Sequence, residues 1–271
     1  MFRRAFVFNA LLLVIMAGGL AGCSENSDDT TINVFSVDDD IELGKQVDAE
    51  ILANPAEYPL LDSATNTLAY SHLYRIRNTI LASGKVFYAQ RFGWRCRIIK
   101  NDSVVNAFCV PGGDMYFYTG LIKLLDNEAQ FAGVMAHEMA HADRRHSTDQ
   151  MTKAYGIQVL LSILLGNNAS TLEQMVADLA NGLGTLAFSR SNEYEADEYA
   201  VKYLYPTAYD SPGLGDFFTK LEGQSQTPTF LSTHPSPEDR LTKINEQFQA
   251  LGGVHGQTFP ERYSEFKTSL P

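Results

Sequence analysis

His137-Glu138-Met139-Ala140-His141 is an HExxH motif, and the residues ahead of it read as helix. Asn127 and Gln130 stand as a capping box before Phe131, Val134, Met135 and Met139, which recur near helical spacing. Residues four apart on an α-helix differ by only about 40° around its axis, so His137 and His141 project to one side and can hold one zinc ion at roughly 2 Å each. Glu138, about 100° away, sits beside such an ion rather than on it. There it can take a proton from a water attacking a peptide carbonyl, while the ion acts as Lewis acid. A chain with 6 histidines would hold on the order of 0.01 such matches after shuffling, so the motif carries information.

A catalytic zinc with an open position needs a third protein ligand. Further along, Ser189-Arg190-Ser191-Asn192-Glu193-Tyr194-Glu195-Ala196-Asp197 is a second polar constellation. Glu193 and Asp197, four apart, share a helix face, whereas Glu195 points about 200° away from Glu193. Glu195 and Glu198 read as solvated, helix-supporting charges. His146, nine residues after His137, falls about 180° round a continued helix and reads as a helix-end or packing residue. His72 and His255 are isolated and are assigned no site.

Upstream, apolar residues near helical spacing predict helices from Ile41 to about Ala53 and from about Ser63 to Ala82, the latter through Leu68, Leu73, Ile76 and Ile80. Arg95 to Lys100, Val104 to Val110 and Met115 to Thr119 are enriched in β-branched and aromatic residues, with Asn101-Asp102-Ser103 and Pro111-Gly112-Gly113 as turns between them. They predict a small sheet. Downstream, the apolar run Ala154 to Leu165 is too short to span a membrane and lacks basic flanks, which predicts a core helix. A further helix is expected over Leu172 to Tyr205, interrupted near Gly182 and Gly184. After Pro206 the chain reads as loop-rich, with one helix from about Pro237 to Ala250.

Four pieces in this order resemble peptidase family M48: Asn106-Ala107-Phe108 with Pro111-Gly112-Gly113; His137 to His141; Phe188-Ser189-Arg190 with Glu193 to Asp197; and Thr233-His234-Pro235 with Arg240. Without long apolar runs beyond the N-terminus, the chain is similar to the soluble periplasmic branch. The resemblance implies an α+β, mostly helical, zincin-type (gluzincin-like) metalloprotease domain with a small sheet over the HExxH helix. It implies one Zn²⁺ per chain on His137, His141 and Glu193, with Asp197 hydrogen-bonding a ligand histidine. His234 and Arg240 then stand near the active site, where a donor can stabilise the oxyanion beside the catalytic Glu138. In a competing reading His234 fills the open zinc position in a latent state. Asn106 and the strand with Met115, Tyr116 and Phe117 would bind the substrate backbone as an added β-strand.

Arg3 and Arg4 precede an apolar stretch, Ala5 to Leu20, too soon interrupted for a spanning helix. Leu20-Ala21-Gly22-Cys23 resembles a bacterial lipobox, implying a signal peptide over residues 1–22 and acyl chains on Cys23. Ser24 favours the outer membrane over the inner. Residues 23–40, closed by Asp38-Asp39-Asp40, read as an acidic tether, and 41–271 as the peptidase domain. Cys96 and Cys109 then form an even pair in an oxidising compartment, which leaves a disulfide and two buried thiols both open. Neither has the neighbours of a nucleophile or a thiolate metal ligand, which argues against a deformylase-like hydrolase and a structural zinc.

The chain has 271 residues, 45% of them hydrophobic, enough for a sizeable core. With 32 acidic against 21 basic residues, it shows no electrostatic footprint for nucleic acid. The expected activity is hydrolysis of peptide bonds in unfolded or misassembled envelope proteins, periplasm-facing and held to the membrane by lipid. The alternative is a periplasmic holdase or assembly factor that uses the same cleft with little or latent proteolysis; Glu138 would be superfluous to it.

Overall fold

The fold begins earlier than the composition suggests. The computed structural model describes residues 33–167, 169–182, 188–222, 228–235 and 239–271; the lipobox-like segment with Cys23, the expected tether up to residue 32, Gly184 and Pro237 lie outside them. Ser36 accepts a hydrogen bond from the Asp39 amide at 3.1 Å, and Asp39 accepts one from the Ser36 amide at 2.7 Å. This reciprocal box opens helix α1 (Val37–Ala53). Asp38, Asp39 and Asp40, expected at the end of a tether, are instead its first turn, where negative charge meets the positive end of the helix dipole. Asp40 is buried against Arg145, and Phe35 is buried as well. Folded structure therefore precedes Ile41.

Helix α2 (Thr67–Leu81) buries Leu73, Ile76 and Ile80, while Leu68 falls outside the stripe and faces solvent. Three strands follow, β1 (Cys96–Ile99), β2 (Ala107–Cys109) and β3 (Met115–Tyr118), in the order β1-β3-β2, with β1 parallel and β2 antiparallel to β3. Successive β3 side chains alternate between faces: Met115 and Phe117 enter the larger core, Tyr116 and Tyr118 a second cluster with Val47 and Ile51 of α1. The disulfide between Cys96 and Cys109 is not made. Both are buried free thiols, opposite Met115 from its two sides. Two strand spacings, roughly 9.5 Å, separate them, beyond the ~7 Å that a disulfide spans between Cα atoms.

After α3 (Thr119–Leu124), Asn127 accepts from the Gln130 amide at 3.0 Å and opens α4 (Glu128–Asp143), the HExxH helix. Every residue of α4 is buried. The apolar run that follows is not one core helix. Gly156, at φ 77°, divides it into α5 (His146–Tyr155) and α6 (Ile157–Leu164), and α6 buries Leu160 and Ile163 while Ile157, Leu161, Leu164 and Leu165 are exposed. Helices α7 (Ala169–Gly182) and α8 (Arg190–Leu204) show the expected interruption. The region after Pro206 is more helical than its sequence suggests: besides α11 (Arg240–Ala250) it holds α9 (Gly213–Glu222), the short α10 (Phe230–Thr233) and α12 (Pro260–Thr268). Among the described residues no helix is long and apolar enough to cross a membrane.

Helices α8 and α9 both pack on α4. One glycine from each helix lets α9 approach α4: a Cβ on Gly133 would lie 2.6 Å from the Leu214 amide nitrogen, and one on Gly213, at the start of α9, 2.7 Å from the Ala129 carbonyl oxygen. The result is an α+β domain, mostly helical, with its small sheet lying against the HExxH helix. Gly133→Ala should cost about 1–3 kcal/mol, because backbone rather than a flexible side-chain end must shift. Urea unfolding checks it, and an unchanged midpoint would show that the helices separate freely.

Candidate metal centre

Two long helices and one short one bring the site together. Helix α4 supplies His137, Glu138 and His141; α8, opened by Ser189 accepting from the Asn192 amide at 3.2 Å, supplies Glu193 and Asp197; and His234 caps the C-terminal end of α10. His137, His141, Glu193 and His234 are all buried, each with one ligand atom within 4.8 Å of the others. His141 Nε2 is 3.0 Å from His137 Nε2 and 3.5 Å from Glu193 Oε1. His234 Nδ1 is 3.3 Å from His137 Nε2 and 3.2 Å from Glu193 Oε1.

These spacings fit a zinc ion. Four donors about 2.05 Å from a tetrahedral ion lie roughly 3.3 Å from one another, and zinc takes nitrogen and oxygen donors of these kinds. Two imidazole nitrogens aimed at each other in a dry interior also want a cation between them. Glu138 stands beside the group with neither carboxylate oxygen in a well-formed hydrogen bond; its Oε1 is 3.4 Å from His234 Nε2.

The cluster's charges are set by burial and by each other. Burial works to raise Glu193, but His234, His137 and His141 outweigh it and hold the carboxyl well below its ordinary range. Burial works to lower His137, yet Asp197 and Glu193 push it up to about 9. His141 is lowered well below the usual imidazole value, burial prevailing over Glu193. Burial raises Glu138, with His234 and His137 opposing it in part. Metal binding here therefore displaces a proton from His137.

Asp197 Oδ1 lies 3.0 Å from His137 Nδ1, close in charge contact though not aligned as a good hydrogen bond. Arg240 does not stand as an oxyanion donor. It is 1% exposed, binds Asp197 with Nε at 2.7 Å and Nη2 at 2.6 Å, and turns Nη1 to Glu193 Oε2 at 2.9 Å. Every arm of the guanidinium is thus engaged with the two carboxylates. Nor can Met115, Tyr116 and Phe117 receive a substrate strand, because β3 is paired on both sides. Asn106, also buried, keeps its Oδ1 without a partner.

His146 is the residue that helical geometry misplaced, and Glu195 is the one whose partner it did not reveal. Helix α4 ends at Asp143 and Arg145 takes a left-handed conformation, φ 63°, which turns His146 back so that its Nδ1 lies 2.9 Å from His141 Nδ1. Glu195 does point away from Glu193, but toward α5, where it meets His146 Nε2 at 3.1 Å. A non-glycine residue at positive φ is uncommon, and nothing in the sequence marks Arg145 for it.

The family model of peptidase family M48 matches residues 72–247. The chain is 30% identical over 223 residues to the beta-barrel assembly-enhancing protease of Yersinia pestis, covering 77% of this chain and 43% of that protein. It is 34% identical over 179 residues to the protein of that name from Escherichia coli K12, covering 61% and 37%. With the mitochondrial metalloendopeptidase OMA1 of Arabidopsis thaliana it shares 31% over 174 residues, 60% of this chain and 34% of that one. The chain thus spans less than half the length of each.

Arg240→Met would leave Glu193 and Asp197 buried without their cation. The metal-free protein should lose about 3–5 kcal/mol, part of it restored by zinc. Urea unfolding with chelator and with zinc reads both quantities; equal stability to wild type in chelator would show that these carboxylates carry no net charge.

Proposed function

From its membership of peptidase family M48, to which the chain belongs, we propose that this protein is a zinc-dependent endopeptidase acting on polypeptides of the bacterial envelope. The observation that carries the proposal is the set of four buried donors within 4.8 Å of one another with the Glu138 carboxylate beside them. His137, His141 and Glu193 would hold the ion. A zinc ion supplies Lewis acidity at a peptide carbonyl. Glu138 takes the proton of the attacking water on a carboxylate oxygen and returns it to the departing amine. Its raised pKa, caused first by burial, suits a group that must hold that proton between the two transfers. Asp197 orients His137, and Arg240 holds Asp197 and Glu193 in place.

An extended substrate would add to β2, not β3. Phe108 faces β3, as do Asn106 and Val110 through their bonds to Tyr118 and Asp114, so Ala107 and Cys109 turn their main-chain groups to the other edge. Main-chain recognition of this kind reads few side chains and suits unfolded segments. The beta-barrel assembly-enhancing proteases among the relatives and the lipobox-like Leu20-Ala21-Gly22-Cys23 support lipid-anchored work on envelope proteins, facing the periplasm and favouring the outer membrane.

One observation favours latency at rest: His234 stands where a fourth ligand would, and a catalytic zinc needs that position open. The Phe230 amide, at the start of α10, bonds the Val105 carbonyl at 3.0 Å on the edge where a substrate strand would add. Such a strand competes for that bond and loosens the helix that carries His234.

Cleavage of unfolded casein by zinc-loaded protein tests the main reading. Glu138→Gln should lower the rate by about 10²–10⁴-fold while zinc content stays constant; if neither protein cleaves although both hold zinc, the holdase and latent readings move ahead of it, and the His234 variant separates them. For latency, His234→Ala should raise the rate with zinc retained. A fall of about 10²–10³-fold would instead make His234 the oxyanion donor.

A further inference from the structure

His141 binds a metal through Nε2 only if its other nitrogen, Nδ1, carries the proton. That proton needs an acceptor, and the group facing it at 2.9 Å is the Nδ1 of His146. A neutral His146 has one bare nitrogen and one N–H, and its surroundings decide which. Its Nε2 lies 3.1 Å from Glu195 Oε2, a carboxylate that can only accept, so Nε2 bears the hydrogen and Nδ1 is bare. Glu195 is itself held from the far side by Arg144 Nε at 2.7 Å, and Arg144 stacks its guanidinium 4.6 Å over the Tyr199 ring. The opposite tautomers would put one N–H on His141 Nε2, where it would face the metal, and one on His146 Nδ1, and turn the lone pair of His146 Nε2 onto the carboxylate.

We infer that His146 and Glu195 are positioning residues of the metal centre, a relay from the Glu195 carboxylate through His146 that fixes the tautomer and ring plane of His141. This rests on the reading of the cluster as a zinc site. Phe188, stacked on the His141 ring at 4.0 Å and 25°, restrains the same plane from its face. The two α4 ligands are then backed in parallel ways, His137 by Asp197 and Arg240, His141 by His146, Glu195 and Arg144. Partners of this kind orient a ligand and raise its basicity, and their loss weakens metal affinity about 10–100-fold.

The test is zinc affinity of the full chain, measured by competition with a chromogenic chelator, for wild type, His146→Asn, His146→Leu and Glu195→Ala. Leu and Asn are close in size, but only Asn offers an acceptor near the position of Nδ1. The expected result is affinity lowered about 10–100-fold in His146→Leu, retained near wild type in His146→Asn, and lowered in Glu195→Ala. Metal-free melting temperatures should be alike for His146→Asn and His146→Leu, which separates metal orientation from packing. If His146→Leu does not fold, Glu195→Ala decides, since Glu195 is only half-buried. Wild-type affinity in His146→Leu or in Glu195→Ala, or an Asn variant as weak as Leu, overturns the relay. Wild type that binds no zinc overturns the metal reading itself, and the relay with it.

Discussion

Glu193 and Asp197 place two carboxylates, one helical turn apart, where neither is more than 1% exposed, and the rest of the site is arranged around that charge. Taking an ion out of water costs several kcal/mol, so each charge has to be met inside the protein. Arg240 meets one of the two. The other is met by the proton that Asp197 and Glu193 hold on His137, or by a divalent cation in that proton's place. The exchange reaches Glu138. With the proton those charges are balanced, and burial raises the pKa of Glu138. With a zinc ion there is one positive charge to spare, which an ionised Glu138 neutralises. A cation in that place would favour the ionised form of Glu138, the form that the proposed general-base role needs.

This arrangement needs a scaffold that keeps water out on all sides of α4. The sheet covers one side, with Met115 and Phe117 in the same core as Phe131 and Met135. Helix α8 covers another and delivers the acidic residues. Helix α9 closes a third, through a contact so close that Gly133 and Gly213 have no room for a Cβ. A fully buried helix gains its stability from packing and not from amphipathic patterning. The capping by Asn127 sets where α4 begins, and so fixes the height of His137 and His141 against Glu193.

Much of this was legible in the chain because the relevant rules are local. A spacing of four on a helix holds whatever the surroundings, so His137 with His141 and Glu193 with Asp197 could be placed on shared faces from sequence alone. Asn127 acts as a cap for an equally local reason. The misreadings came where tertiary structure decides. The left-handed Arg145 reverses the course of the chain, so a helical wheel put His146 on the wrong side. Strand composition found β1, β2 and β3 but cannot give their order, so it could neither show that β3 is paired on both sides nor decide between a disulfide and two free thiols for Cys96 and Cys109. The glycine at 213 looks like part of a turn, and only the backbone of α4 explains it.

The four donors differ in how firmly they are held, and that difference bears on what the site can do. His137, His141 and Glu193 come from α4 and α8, long helices packed together over their length, and each is backed by further buried groups. His234 comes from the end of the four-residue α10, fixed by its 2.8 Å amide bond to the Phe230 carbonyl and by the Phe230 ring stacked on it at 4.4 Å. A helix of one turn has little cooperativity of its own, since nucleation is the costly part and almost nothing is propagated. Moving it breaks the bonds at its ends, one of which, Phe230 to Val105, lies on the strand edge that would receive a substrate, and shifts the buried Phe230 ring against Phe217 and Phe218. Three fixed ligands and one on a short, separately held turn are what a zinc site requires if it is to be complete at rest and open in use.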